Sequence, residues 1–193
     1  LLVDYSETRG SVAYGFQSSA VARHSFTASV EGMNPDGAHV NASRVGLVLG
    51  REMDVSDRVT LGTTVGAAWT SSPRRTTDLL ASLRLVHEGE RIDYSVAWSR
   101  DIRSSGSVGG YVRSQNFDAS ATIPFSSNNT LSLGVGHAMS LKADREAGAT
   151  AYARFRSELT RFWALTMGLE HRQSLPSGRP SARSSAVNLG LVY

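Results

Sequence analysis

Arg84, Arg154, Arg156 and Arg172 are the side chains of this sequence best suited to grip an anion. A guanidinium presents a planar fork of N–H donors that holds a carboxylate, or the acid group of a sugar, at two points. Each sits in a stretch where apolar and polar residues alternate, so each shares a face with further charges. The same faces collect Asp4, Glu31, Arg44, Glu52, Arg91, Asp93, Asp101, Asp118, Glu158 and Glu170. Asp118, Glu158 and Glu170 offer the arginines counter-charges, and the near balance of acids and bases favours bracing pairs for each residue taken singly. Tyr152 offers a flat apolar ring on which a sugar can stack, or simply fills space.

Catalytic chemistry finds no comparable constellation. His137 and Ser140 are separated by Met139 and an odd number of positions, so on a strand they take opposite faces. His24, His39, His87 and His171 are scattered near the ends of the alternating segments, and Asp101 alone makes no acidic cluster. Gly106 to Gly110 lacks the strand–helix context and the lysine of a phosphate loop. With no cysteine and no ligand-like spacing, no metal, cofactor or catalytic residue is expected, and the chain does not read as an enzyme. The net charge of +3 is spread along the chain without a basic stripe or aromatic platform, so nucleic acid is not an expected partner.

The elements that would position these rows are strands. At 193 residues the chain is long enough for one closed sheet, read as a single domain over 1–193. No apolar run approaches the roughly 18 residues of a membrane helix. The alternation is persistent: Val12, Tyr14 and Phe16; Phe26, Ala28 and Val30; Val45, Leu47 and Leu49; Val59 through Trp69; Leu79 through Leu85; Ile92 through Trp98; Phe117 through Ile123; Leu131 through Met139; Trp163 through Leu169. The intervening faces are rich in Gly, Ser and Thr as well as charge. Leu1 to Tyr5 reads as a short first strand turning at Glu7 to Gly10, and Asn34-Pro35-Asp36-Gly37 as a strong turn. About twelve strands result, with tight turns near 20, 54, 89, 127 and 161 on the periplasmic side. Longer connections near 9, 35, 73, 106, 145 and 179 face outward, and no inward-folding loop plugs or narrows the interior. A soluble barrel would alternate too, but with its large apolar residues inside. Aromatics near strand ends and the small, hydroxyl-rich opposite face favour the membrane orientation. An Arg facing hydrocarbon at the midplane costs roughly 2–4 kcal/mol, so the charged rows must face a wet interior.

The last residues, Ser185-Ala186-Val187-Asn188-Leu189-Gly190-Leu191-Val192-Tyr193, set Val187, Leu189, Leu191 and Tyr193 on one face and end on an aromatic ring. This stretch resembles the C-terminal signal by which bacterial outer-membrane β-barrels are handed to their assembly machinery. The resemblance implies an all-β, antiparallel up-and-down transmembrane β-barrel in the outer membrane, with lipid around it; a sequence that begins at Leu1 rather than Met reads as a mature or trimmed chain, consistent with a lost signal peptide. The segment from Leu175-Pro176-Ser177-Gly178 to Tyr193 is also similar to barrels associated with exopolysaccharide export. Small size and an arginine-bearing interior resemble the monomeric oligosaccharide porins. Passive passage of ions, small solutes or acidic oligosaccharides is the function these likenesses imply. The alternative is a scaffold barrel that anchors or encloses a periplasmic or lumenal protein.

Overall fold

Alternating apolar and small polar residues, rich in Val, Thr and aromatics, suit a pleated ribbon with one greasy face. The computed structural model describes residues 5–35, 41–71, 75–105, 110–141, 147–175 and 181–192, and these form strands with no helix. The eleven strands are β1 (Tyr5–Ser19), β2 (Ala22–Pro35), β3 (Ala42–Ser56), β4 (Val59–Ser71), β5 (Arg75–His87), β6 (Asp93–Ser105), β7 (Gly110–Ser126), β8 (Asn129–Ser140), β9 (Ala147–Glu158), β10 (Ala164–Leu175) and β11 (Ala182–Val192). They make one sheet in sequence order, the up-and-down meander expected. Asp4, Asp36, His39, Lys142, Asp144, Glu146, Tyr193 and most of the longer connections lie outside the described residues.

One expected turn is absent. Glu7 to Gly10 do not reverse the chain but continue β1, facing Met33, Gly32, Glu31 and Val30 of β2 in an unbroken ladder. An acid, an arginine and a glycine resemble turn chemistry, yet here Glu7 and Arg9 are strand residues on the polar face. Arg9 pairs with Glu7 at 2.5 Å and approaches Glu31 at 3.9 Å. β1 thereby runs for 15 residues, and Leu1 to Asp4 of the expected first strand lie outside the described residues. The tight turns do fall as expected, at Ala20–Val21, Asp57–Arg58, 88–92, Ser127–Asn128 and 159–163.

The residues gather into two compact units. Unit 1 is Leu1–Val55, Leu61–Leu83 and Ser99–Gln115; unit 2 is Ser56–Thr60, Arg84–Trp98 and Asn116–Tyr193. In each, the apolar rows face out: Val12, Tyr14, Leu49 and Val65 in unit 1, and Val96, Val135, Leu169, Val187 and Leu189 in unit 2, are all exposed. Leu189 is 72% and Val187 80% exposed. Leaving such a side chain in water forgoes about 1.5–3 kcal/mol of burial each, a loss that vanishes when the surrounding medium is hydrocarbon.

Alternation lapses in β6 and β7. Tyr94, Val96 and Trp98 point outward. Then Asp101 reaches Arg44 while its neighbour Ile102 joins the buried cluster, so two successive side chains serve one face. The Ile102 amide donates to Asp101 Oδ1 at 2.7 Å rather than following a regular pattern. In β7, Tyr111 and Arg113 serve the inner face, whereas Phe117, of the same parity, is exposed. An extra residue in a strand has this effect on facing.

Two glycines mark close approaches of different kinds. A Cβ at Gly66 would meet backbone of β3, the Leu47 carbonyl oxygen and Val48 Cα. A Cβ at Gly134 would meet only the ring of Tyr152, its direct partner on β9. Gly66→Ala therefore lowers unfolding stability by about 1–3 kcal/mol, as overpacking against atoms that cannot swing aside does. Gly134→Ala costs less than about 1 kcal/mol, because the phenol can rotate away. Urea unfolding of the two variants in lipid or detergent orders them.

Candidate functional site

The ladders of β8 to β11 place the inner residues of unit 2 in cross-strand rows. Thr130, Arg156, Thr166 and Gly190 form one row; Ser132, Arg154, Gly168 and Asn188 the next. Then come Gly134, Tyr152, Glu170 and Ala186, followed by Gly136, Thr150, Arg172 and Ser184. Each of Arg154 and Arg156 is thus flanked on both neighbouring strands by a hydroxyl or a glycine, never by an acid. Long guanidinium side chains need that room. Thr130, Ser132, Arg154, Arg156, Thr166 and Asn188 line a cavity of about 460 Å³.

Among the described residues, no carboxylate lies within ion-pair distance of Arg154. Its guanidinium carbon instead stands 4.7 Å from the centroid of the Tyr152 ring, a cation–π arrangement. Tyr152 can lie flat there because Gly134 opposite has no side chain. Arg156 approaches Glu158 at 3.5 Å, and Arg172 pairs with Glu170. Both pairs run along one strand, two residues apart, and not across strands as bracing requires. With both partners of the Arg156 pair about half exposed, that pair contributes no more than about 1 kcal/mol. Asp118 projects beside Gly136, and Arg84 is exposed on β5.

Unit 1 has a different interior. Each of the strands β2 to β7 contributes one buried apolar side chain to a single cluster: Met33, Ala42, Ala68, Leu80, Ile102 and Tyr111. Met33 and Ala68 are 0% exposed. Beside them Arg44 bridges Glu31 at 3.7 Å and Asp101 at 3.1 Å, and Arg113 pairs with the buried Asp78. Thr76 links that second pair to Thr70, at 3.2 Å from Asp78 and 2.7 Å from Thr70. Three contacts join strands that are not neighbours in the sheet: Arg44 of β3 to Asp101 of β6, Arg113 of β7 to Asp78 of β5, and the Tyr111 hydroxyl of β7, which donates to the Glu31 carbonyl of β2 at 3.3 Å. Within this unit side chains from non-adjacent strands therefore meet over the inner face and fill it. The expectation that nothing narrows the interior is corrected here: side chains of the wall do it, with no loop required.

Arg84, Arg154, Arg156, Arg172, Glu158, Glu170, Asp118 and Tyr152 all belong to strands, and Arg154, Arg156, Tyr152, Glu158 and their neighbours come together on β9. Val187, Leu189 and Leu191 occupy the exposed apolar face of β11. His137 lies on the exposed side of β8. His24 stacks on Phe16 at 5.1 Å and meets Ser18 at 2.8 Å; His171 meets Ser185 at 2.9 Å. Among the described residues no cluster of three or more His, Asp or Glu is placed for a metal ion. Reasoning from sequence missed Glu7, Arg9, Asp78, Tyr111 and Arg113. Asp78 was within reach, since it shares parity with Ser82 and Arg84. Arg113 was not, because the lapse in β7 reverses its facing.

A meander of antiparallel strands whose exposed face is apolar and whose opposite face holds the charges has the fold of the bacterial outer-membrane β-barrels. Solved structures share the fold. The NanC porin aligns over 97% of this chain and 98% of its own, at 11% identity and a TM-score of 0.50. The alcaligin outer-membrane receptor FauA from Bordetella pertussis aligns over 98% of this chain, at 14% identity and a TM-score of 0.56. The siderophore receptor PirA from Acinetobacter baumannii aligns over 96%, at 13% identity and a TM-score of 0.54. This chain spans 38% of the length of each receptor. No sequence-family description and no curated protein matches it.

Proposed function

We propose that the protein is an outer-membrane channel for passive passage of ions, small solutes or acidic oligosaccharides, performing no chemistry of its own. The observation that carries this reading is the placement of Arg154 and Arg156 among small hydroxyl, amide and glycine neighbours around a cavity of about 460 Å³. Arg154 lacks a carboxylate partner among the described residues, so its donors are available to a passing anion. Passage is driven by the gradient, and the partners required are outer-membrane lipid and, during biogenesis, the assembly machinery. The likeness of the fold to a porin and to two outer-membrane receptors supports a transport role in general terms. A place in polysaccharide export rests on the resemblance of the C-terminal segment alone.

In planar bilayers under a salt gradient, the protein carries current that favours anions. The Arg154→Gln/Arg156→Gln double variant lowers the anion-over-cation permeability ratio by roughly a few-fold. A reconstituted chain that passes no current, or a ratio untouched by the double change, overturns the reading. The filled interior of unit 1 favours a second one, a scaffold barrel holding a periplasmic or lumenal protein. It predicts electrical silence together with a co-purifying partner.

A further inference from the structure

We infer that the inner face of unit 1 is a resident barrier built from the wall itself, and that Tyr111 is the side chain that seals it; this rests on the channel reading. Six successive strands each send one apolar side chain to the same cluster, and two of those side chains have no exposed surface at all. A permeant ion has no wet path between Met33, Ala68, Leu80 and Ile102, and stripping its hydration there without a replacement ligand is prohibitive. The charges beside the cluster are engaged with each other, Arg44 with Glu31 and Asp101, Arg113 with Asp78, and the atoms they leave without a hydrogen bond, Glu31 Oε1 and Arg44 Nε, are shut away from water.

Tyr111 differs from the other members. Its ring belongs to the cluster, while its hydroxyl is tied to a backbone carbonyl on β2 by one neutral hydrogen bond. It is the largest member, and it reaches a strand that is not adjacent in the sheet. Breaking that one bond and turning one ring opens the cluster without separating any ladder. Unpartnered polar atoms lie close by, Glu31 Oε1 and Arg44 Nε, ready to receive water once the ring leaves.

The chain has no cysteine, so a single introduced thiol reports on one position. Ala68→Cys and Ser132→Cys are made separately in the full chain, in lipid vesicles, and treated with a charged thiol reagent. Cys at 132 reacts freely. Cys at 68 reacts at least about a hundredfold more slowly, since reagent meets it only in transiently opened molecules. Adding Tyr111→Ala brings position 68 close to the rate at 132, whereas Tyr111→Phe, which keeps the ring, leaves most of the protection. Should Tyr111→Ala fail to fold by circular dichroism, Met33→Ala serves as the second opening variant. Equal labelling of 68 and 132 in the otherwise native chain overturns the barrier, as does protection that survives both opening variants. Bilayer current is read separately: larger steady conductance in the opening variant than in the native chain supports the barrier. Silence in both counts against the channel reading alone, and the labelling result then decides the barrier by itself.

Discussion

Arg44→Met lowers unfolding stability by about 3 kcal/mol, because it strands the buried Glu31 carboxylate that the guanidinium now serves, while Asp101, its side chain 41% exposed, loses less. Glu31 is 8% exposed and Asp101 lies on a strand that is not a neighbour of β3, so neither gains a new cation when Arg44 is removed. Arg9 approaches Glu31 at 3.9 Å, but it is largely exposed and already engaged with Glu7. The cost is thus that of an uncompensated buried charge rather than of one lost contact. Adding Glu31→Gln to Arg44→Met removes one of the stranded charges and recovers more than half of the loss. Urea unfolding in lipid, followed by tryptophan fluorescence, gives both numbers. If the single variant loses less than the double, the ion network is not what holds this part of unit 1 together.

Val135→Arg, on the exposed apolar face of β8, costs about 2–4 kcal/mol of folding into a bilayer, the penalty of an arginine near the midplane of a barrel wall. Ser132→Arg, three residues away on the same strand, costs less than about 1 kcal/mol, because its side chain enters the row of Arg154 and Gly168, where there is water and space. The comparison is internal: same strand, same new side chain, opposite faces. It is checked by the fraction of each variant that folds into vesicles at graded urea concentrations. Equal penalties would mean that the faces are assigned wrongly and that the apolar rows do not meet lipid.

Much of this was legible in the residues. Period-two alternation in β8 to β11 gave the strands, their facing and the arginine rows, because nothing interrupts the pleat between Asn129 and Val192 except turns and connections. The first strand was misread for a physical reason: Glu7, Arg9 and Gly10 have turn chemistry, and only their partners on β2 reveal that the polarity belongs to a strand face. The filled interior was illegible for a different one. Met33, Leu80, Ile102 and Tyr111 are distant in sequence, and two of them lie where β6 and β7 break step. Facing cannot be extrapolated through such a lapse, so neither Tyr111 nor Arg113 could be assigned a side by counting from Phe117. The candidate pairs of Arg156 and Arg172 were found with the expected kind of partner but in the wrong direction, along the strand, since cross-strand register is invisible to a single sequence.

That lengthwise direction has a mechanical outcome. Arg156 with Glu158, and Arg172 with Glu170, fasten nothing sideways, so near those levels β10 and β11 are joined by their main-chain ladder and by neutral side-chain bonds, Thr166 to the Gly190 carbonyl and His171 with Ser185, and not by these ion pairs. Sideways tension in this part of the wall falls on hydrogen bonds between strands, which can lengthen together, with neither of these ion pairs as a clasp that must first snap. A bulky guest pressing outward there meets an elastic surface instead of a brittle one.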